Sequence, residues 1–309
     1  MNNRLLQAAI ESNVPVYADL SDPLEYLEAA LAMHGAAKAA GTAAVVCAGA
    51  FPGFSNVIAA ECASRLTSPA RDVRFSYFTA GLGGAGTVNL YITNLGFGDP
   101  VWTLRGGKRA PREVGGLDST RVDFFLDEAD ESFRRIGTQT VWAWPFPEVC
   151  TVGETLGITG RSDVRMGTAP HVWNVILGAM ARVVPRAWWR DERFSRALAA
   201  FSQPMVALTD RFVGETHGMR IDVRGDGGET VTAVQAHDSF RVCVGQSCAE
   251  FVCHLLQRAD SEPTCGVFLP EQLLADRDCR QQVLQRMSQT PGTFGYRIHH
   301  ERALSALKQ

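Results

Sequence analysis

The chain has 309 residues, 46% of them hydrophobic and 20% charged, and a net charge of −3. That length holds two domains over a shared core, and the composition builds such a core without making a membrane protein. The charge supplies no field to draw in nucleic acid or anionic lipid, so a charged ligand must be held by local groups.

Eight cysteines are too sparse for a disulfide scaffold in a chain this long, and the start MNNRLLQAAIES has no apolar signal core. A cytoplasmic protein is expected. The longest near-apolar run, 171–184, spans 14 residues, whereas a bilayer needs roughly 18 to 20.

In chain order, residues 4–12 read as the end of a helix and 14–20 (VPVYADL) as a strand. Asp22-Pro23-Leu24-Glu25 reads as a helix start with a capping box and proline at the first helical position, the helix running to Gly41. A strand over 42–48 then leads into VVCAGAFPGFSN (45–56), where an apolar strand passes through Gly49 and Pro52-Gly53 into a helix reaching about Leu66. Open parallel sheets bind ligands at such a corner. The same residue types also serve a plain strand-to-helix turn, and both readings stay open. A strand over 73–79 completes a pattern that argues for a parallel, helix-covered sheet. The chain enters this pattern in mid-helix, without the strand and Gly-rich phosphate turn that would open a complete nucleotide-binding sheet.

Residues 101–114 look like a hairpin turning at Gly106-Gly107, and 121–149 mix strand-like pieces with Trp142, Trp144 and Phe146. Helices are expected over 171–184 and 191–212, the second interrupted by Pro204. Residues 218–236 form an antiparallel hairpin about Asp226-Gly227-Gly228, followed by a helix over 246–257 and a strand-helix-strand tail.

Five features could carry chemistry. The run 81–86 (GLGGAG) satisfies a phosphate-turn pattern, but the segment after it is a mediocre helix former, which favours a flexible corner. Cys243, Cys248, Cys253 and His254 are spaced for buried apolar cysteines rather than zinc. Arg105, Lys108, Arg109 and Arg112 read as a solvated hairpin tip before a phosphate contact. His237-Asp238 reads as a strand end before an acid-base pair, because adjacent strand residues face opposite ways. Arg165, just ahead of a helix start, suits a carboxylate clamp and a structural salt bridge equally. The aromatic helix with Trp188-Trp189 leaves core packing, the usual outcome for such a stripe, beside a weak peripheral membrane contact.

The series VPVYADLSD (14–22), AGAFPGFSN (48–56), FTAGLGGAG (78–86), VRMGTAPHVWN (164–174), GMRIDVRGDGG (218–228) and GVFLPEQLL (266–274) resembles, in that order, the saccharopine dehydrogenase-like oxidoreductases. The resemblance covers nearly the whole chain and implies an α/β fold: a Rossmann-type parallel sheet, incomplete here, with an inserted α+β, mostly antiparallel second domain. The implied division is 1–80 for the partial nucleotide-binding domain, 81–257 for the substrate and dimerisation domain, and 258–309 returning to the first. It further implies NADP or NAD as cofactor, with Asp19, Ser21, Gly49, Pro52 and Gly53 on the cofactor side. Phe51, Ser55, Asn56, Gly83, Gly84, Arg165 and Asn174 would face the substrate, and no metal is implied. Asp19 and Tyr77 are the candidate acid-base groups.

The function so implied is NAD(P)-dependent oxidation or reduction of a small amino-acid-like molecule. The departure is the phosphate turn, so an upstream segment or partner chain is expected to supply it, and a homo-oligomer is expected from the unfinished sheet edge. The alternative is a non-catalytic ligand-binding or interaction module that keeps the cleft alone.

Overall fold

In the computed structural model, which describes residues 3–81, 86–112, 118–259 and 264–301, the chain begins with α1 (Arg4–Glu11), β1 (Val16–Ala18), α2 (Leu24–Leu31), α3 (His34–Ala39), β2 (Ala43–Val45) and α4 (Phe54–Ser64). The expected helix over 24–41 is thus two short ones. The first starts after Pro23 with no side-chain cap, so the expected capping box does not form. β1 and β2 run parallel with Val16 opposite Ala43, and a third parallel strand from residues 266–268 lies against the other edge of β2. Side chains alternate across a strand, and β2 divides its own between two cores. Ala44 and Val46 pack with Leu6, Leu27 and Leu269, whereas Ala43 and Val45 pack with Phe54, Val57 and Ile58 of α4.

Next come β3 (Ala70–Ala80), α5 (Gly86–Gly96), β4 (Val101–Arg105), β5 (Lys108–Arg112), β6 (Ser119–Asp123), α6 (Glu131–Arg134), β7 (Thr138–Ala143), α7 (Glu148–Thr155) and β8 (Arg161–Ala169). After them lie α8 (His171–Val183), α9 (Arg186–Arg190), α10 (Glu192–Val213), β9 (Thr216–Gly225), β10 (Thr230–His237) and α11 (Phe240–Ala259). The described chain closes with β11 (Gly266–Phe268), α12 (Pro270–Leu273), α13 (Arg277–Ser288) and β12 (Thr293–Glu301).

The larger sheet has nine strands in the order β12-β10-β9-β3-β8-β4-β5, with β6 and β7 joined through β7 to β8. Only β3 and β8 pair in parallel; the other pairings are antiparallel. The architecture is therefore α/β, a small parallel sheet beside a mixed one. β3, expected in the parallel sheet, instead lies between β8 and β9 in the larger one. Its run of buried residues from Phe75 to Ala80 suits a central strand of either sheet, so periodicity could not choose.

Two other expectations fail. α10 runs through Pro204 unbroken, and the segment after Gly86 is helical despite its propensity, because α5 packs along α10.

α4 joins the two sheets. It is buried from Phe54 to Cys62 and touches β3, β9 and β10 of the larger sheet together with α7, α12 and α13. A helix apolar on all sides belongs inside a protein. Its one interior charge, Glu61, is held by Arg280 of α13 at 3.1 Å and by Arg65 at 2.9 Å.

Candidate functional site

Asp19, Cys47 and Glu271 stand one, two and three residues beyond the carboxyl ends of β1, β2 and β11. The corner after β2 is closed by its own backbone: Phe54 N donates to Gly49 O at 2.8 Å and Gly49 N to Pro52 O at 3.1 Å. Gly53 adopts φ +134°, and a Cβ there would lie 2.0 Å from Gly49 O. These glycines serve the chain's contact with itself. Pro52, after a cis peptide bond from Phe51, is buried with them. Asn56 Oδ1 accepts from Gly53 N at 3.0 Å and so caps α4, while its Nδ2 donates to Glu271 Oε2 at 2.9 Å. Ser55 donates to Asn56 Oδ1 and is likewise buried.

Phe51 is the centre of an aromatic stack: Tyr77 lies parallel to it at 4.2 Å, Phe240 at 4.6 Å and the His217 ring at 5.1 Å. Tyr77 Oη donates to Glu148 Oε1 at 2.9 Å. Burial, then the charge of Glu148, holds the Tyr77 hydroxyl well above its ordinary range. Burial pushes Glu148 up to about 8 and Glu271 up to about 7, with the charges of Asp22 and then Glu271 adding to the Glu148 shift. Asp22 is raised to about 6, by burial first and by Asp99. Glu148 is therefore mostly protonated at neutral pH, Glu271 about half so.

Each glutamate has one buried oxygen, Glu148 Oε2 and Glu271 Oε1, without a hydrogen-bonding partner among the described residues, and Thr151 Oγ1 is in the same state. Both ring nitrogens of His217 are buried without a well-aligned hydrogen bond among the described residues, and burial, then His237, lowers that imidazole to about 3 against a small opposing effect of the Phe78 backbone. Cys47 sits in the left-handed region at φ +64°. Its thiol is held well above its ordinary value by burial and the surrounding carboxylates, which leaves it no nucleophilic thiolate.

Of the residues expected at the site, Asp19 and Ser21 stand half-buried at the end of β1. The Asp19 carboxylate accepts from Tyr17 Oη at 2.9 Å, Ser21 N at 3.0 Å and Tyr26 Oη. Phe51, Ser55, Asn56 and Tyr77 come together in the buried cluster. Arg165 takes the salt-bridge reading: its guanidinium reaches both Asp118 oxygens, at 3.1 and 3.2 Å. Asn174 bonds the Thr168 backbone on both sides, at 3.0 and 2.7 Å, and so fixes the start of α8 against β8. Gly83 and Gly84 lie outside the described residues. Arg109 is no free tip, since it bridges Glu28 of α2 and Glu154 of α7. Asp238 pairs with Arg135, and His237 caps a strand end with Gln246 and Ser239 as partners.

The sequence reading missed Glu148, His217 and Glu271 as members of the buried cluster. Glu271 stood inside the Pro-Glu motif at 269–272. Glu148 follows Pro147 among Phe146, Val149 and Cys150, and that apolar company was its only signal.

No family model and no curated protein matches the sequence. Among solved structures, apo histidine-tagged saccharopine dehydrogenase (L-Glu forming) from Saccharomyces cerevisiae superposes with a TM-score of 0.56 at 11% identity, over 96% of this chain and 81% of that one. At that identity the likeness is one of fold alone.

Proposed function

We propose that the chain is an NAD(P)-dependent oxidoreductase acting on a small amino-acid-like substrate, with Glu148 and Tyr77 as its proton-handling pair. The observation that carries this reading is the unpartnered Glu148 Oε2, buried beside a tyrosine hydroxyl near the carboxyl ends of parallel strands. A buried polar atom without a partner costs about 1–3 kcal/mol, and functional sites are where such a cost is kept.

Of the expected cofactor groups, the half-buried Asp19 and Ser21 fit an edge contact to a dinucleotide, whereas Gly49, Pro52 and Gly53 are used up by their own turn. When bound, the nicotinamide would supply hydride transfer. Glu148 would hold a proton at Oε2 through the neutral range, Tyr77 would fix the opposite oxygen, and the Phe51 stack would exclude water from both.

Fluorescence titration with NADH and NADPH tests the reading: saturable binding of one of them is expected. With amino-acid-like substrates, a pH profile that breaks near 8 should vanish in Glu148→Gln. Binding of neither nucleotide removes the proposal. A second reading, a non-catalytic ligand-binding module, is favoured by the engagement of Asp19, Asn56, Arg165 and Asn174 within the chain itself. Small-ligand binding with no nucleotide binding would select it.

A further inference from the structure

The helical lobe carries an apolar face that the fold leaves uncovered. On α10, Phe201, Met205, Leu208 and Phe212 recur at helical spacing, and all four are exposed, Phe201 at 73% and Phe212 at 83%. They form one stripe, because steps of four, three and four residues return to the same side of a helix. Thirteen residues of α10, 197–209, carry no charge, a length of roughly 20 Å. The adjoining α5 shows the same pattern with Val88 and Ile92 exposed. At the link from α8 to α10, Trp188 is 56% and Val183 80% exposed, whereas the neighbouring Trp189 is fully buried.

Charge around this face is predominantly positive. Between residues 182 and 211 stand Arg182, Arg186, Arg190, Arg193, Arg196 and Arg211, against Asp191, Glu192 and Asp210. Some of these arginines are engaged: Arg196 pairs with Glu192 and lies over the Tyr91 ring, and Arg190 donates to Gly98 O. The lobe is nonetheless basic in a chain whose net charge is −3. A second copy docked with its α10 parallel to this one would bring these arginines toward their own counterparts. An anionic surface would not. An apolar stripe with an exposed tryptophan and flanking arginines is what an interfacial helix presents to a bilayer.

We infer that the α5–α10 face, with the arginines of 182–196, docks this protein on the surface of an anionic membrane without crossing it. No helix among the described residues is long and apolar enough to cross. The bulk charge alone gave no reason to expect lipid, and the local charge supplies one.

Flotation of the full chain decides it. With vesicles of phosphatidylcholine and phosphatidylglycerol in equal parts, the protein should float, and with phosphatidylcholine alone the bound fraction should drop by at least ~10-fold, since each arginine near an anionic surface adds about 1 kcal/mol. Phe201→Asp with Leu208→Asp should abolish flotation. Arg182→Gln, Arg186→Gln and Arg193→Gln together should remove the anionic preference; they change only exposed side chains, so the test survives if the apolar variant fails to fold. Absence of flotation on the anionic vesicles overturns the inference, as does equal flotation on both. A dimer in sedimentation that Leu208→Asp converts to monomer assigns the face to a second copy and also overturns it. Nucleotide binding is measured separately, so either result leaves the oxidoreductase reading to its own test.

Discussion

A carboxyl group closed off from water keeps its proton, and Glu148 and Glu271 turn that into a dependence of stability on pH. Their folded values, about 8 and about 7, lie above the ordinary 4.5. As pH rises past 4.5 the unfolded chain releases protons that the folded one retains, so stability falls until the folded groups also ionise. His217 works in the opposite direction, because its folded value of about 3 lies below the ordinary 6.5. Below pH 6.5 the unfolded chain takes up a proton that the buried ring refuses, and stability falls toward pH 3. From these three groups, stability should peak near pH 4.5, because between 4.5 and 6.5 the two carboxyls outweigh the one imidazole and stability already falls as pH rises. Glu148→Gln keeps the shape without the ionisation, so its melting temperature should exceed that of the wild type by several degrees at pH 9 and match it closely at pH 5. An equal difference at both pH values would show that Glu148 does not titrate as described. Gly53→Ala meets a harder limit, since its new Cβ would overlap Gly49 O in a backbone conformation that side chains rarely adopt. A loss of at least ~3 kcal/mol in urea unfolding, or no soluble protein, is expected.

Elements are joined by ion pairs of unequal worth. Glu61 and Arg280 connect α4 to α13 with both side chains almost fully buried, so Arg280→Met, which leaves the buried Glu61 Oε2 without its charged partner while Arg65 and Gln281 keep Oε1, should cost about 1–3 kcal/mol. Arg109 connects the β4–β5 hairpin to α2 and α7 through half-exposed groups, and Arg109→Ala should cost about 1 kcal/mol or less. Chemical denaturation of the two variants checks the order; a larger loss at Arg109 would refute the burial argument.

The same contrast explains what was legible in the sequence. The hairpins at Gly106-Gly107 and Gly227-Gly228 could be read because turn chemistry is local, and α10 because its period is regular. Which sheet β3 joins depends on partners about 90 and 140 residues away in the chain, at β8 and β9. Arg165 and Asn174 were visible as polar groups at a helix start. That Asp118 and the Thr168 backbone would occupy them was not, since a residue type records what a side chain can bond, not what the fold brings to it.

At the scale of the molecule, the question is whether two sheets make two folding units. β11 crosses back into the parallel sheet after eight of the nine strands of the larger sheet, β12 then returns to the larger one, and α4 contributes to the core on both sides of the seam. A helix shared in this way cannot stay folded with one sheet while the other melts, because either loss exposes its apolar surface to water. The sequence supplies a probe for one side only: all six tryptophans, at 102, 142, 144, 173, 188 and 189, belong to the larger sheet and its helices. Far-ultraviolet circular dichroism reports the helices of both. Urea transitions followed by tryptophan fluorescence and by circular dichroism should therefore coincide. Ile58→Ala, in the middle of α4, should cost about 2–5 kcal/mol and move both curves together. A fluorescence transition that holds its midpoint while the dichroism curve splits would mean that the parallel sheet unfolds alone and that α4 belongs to one core rather than two.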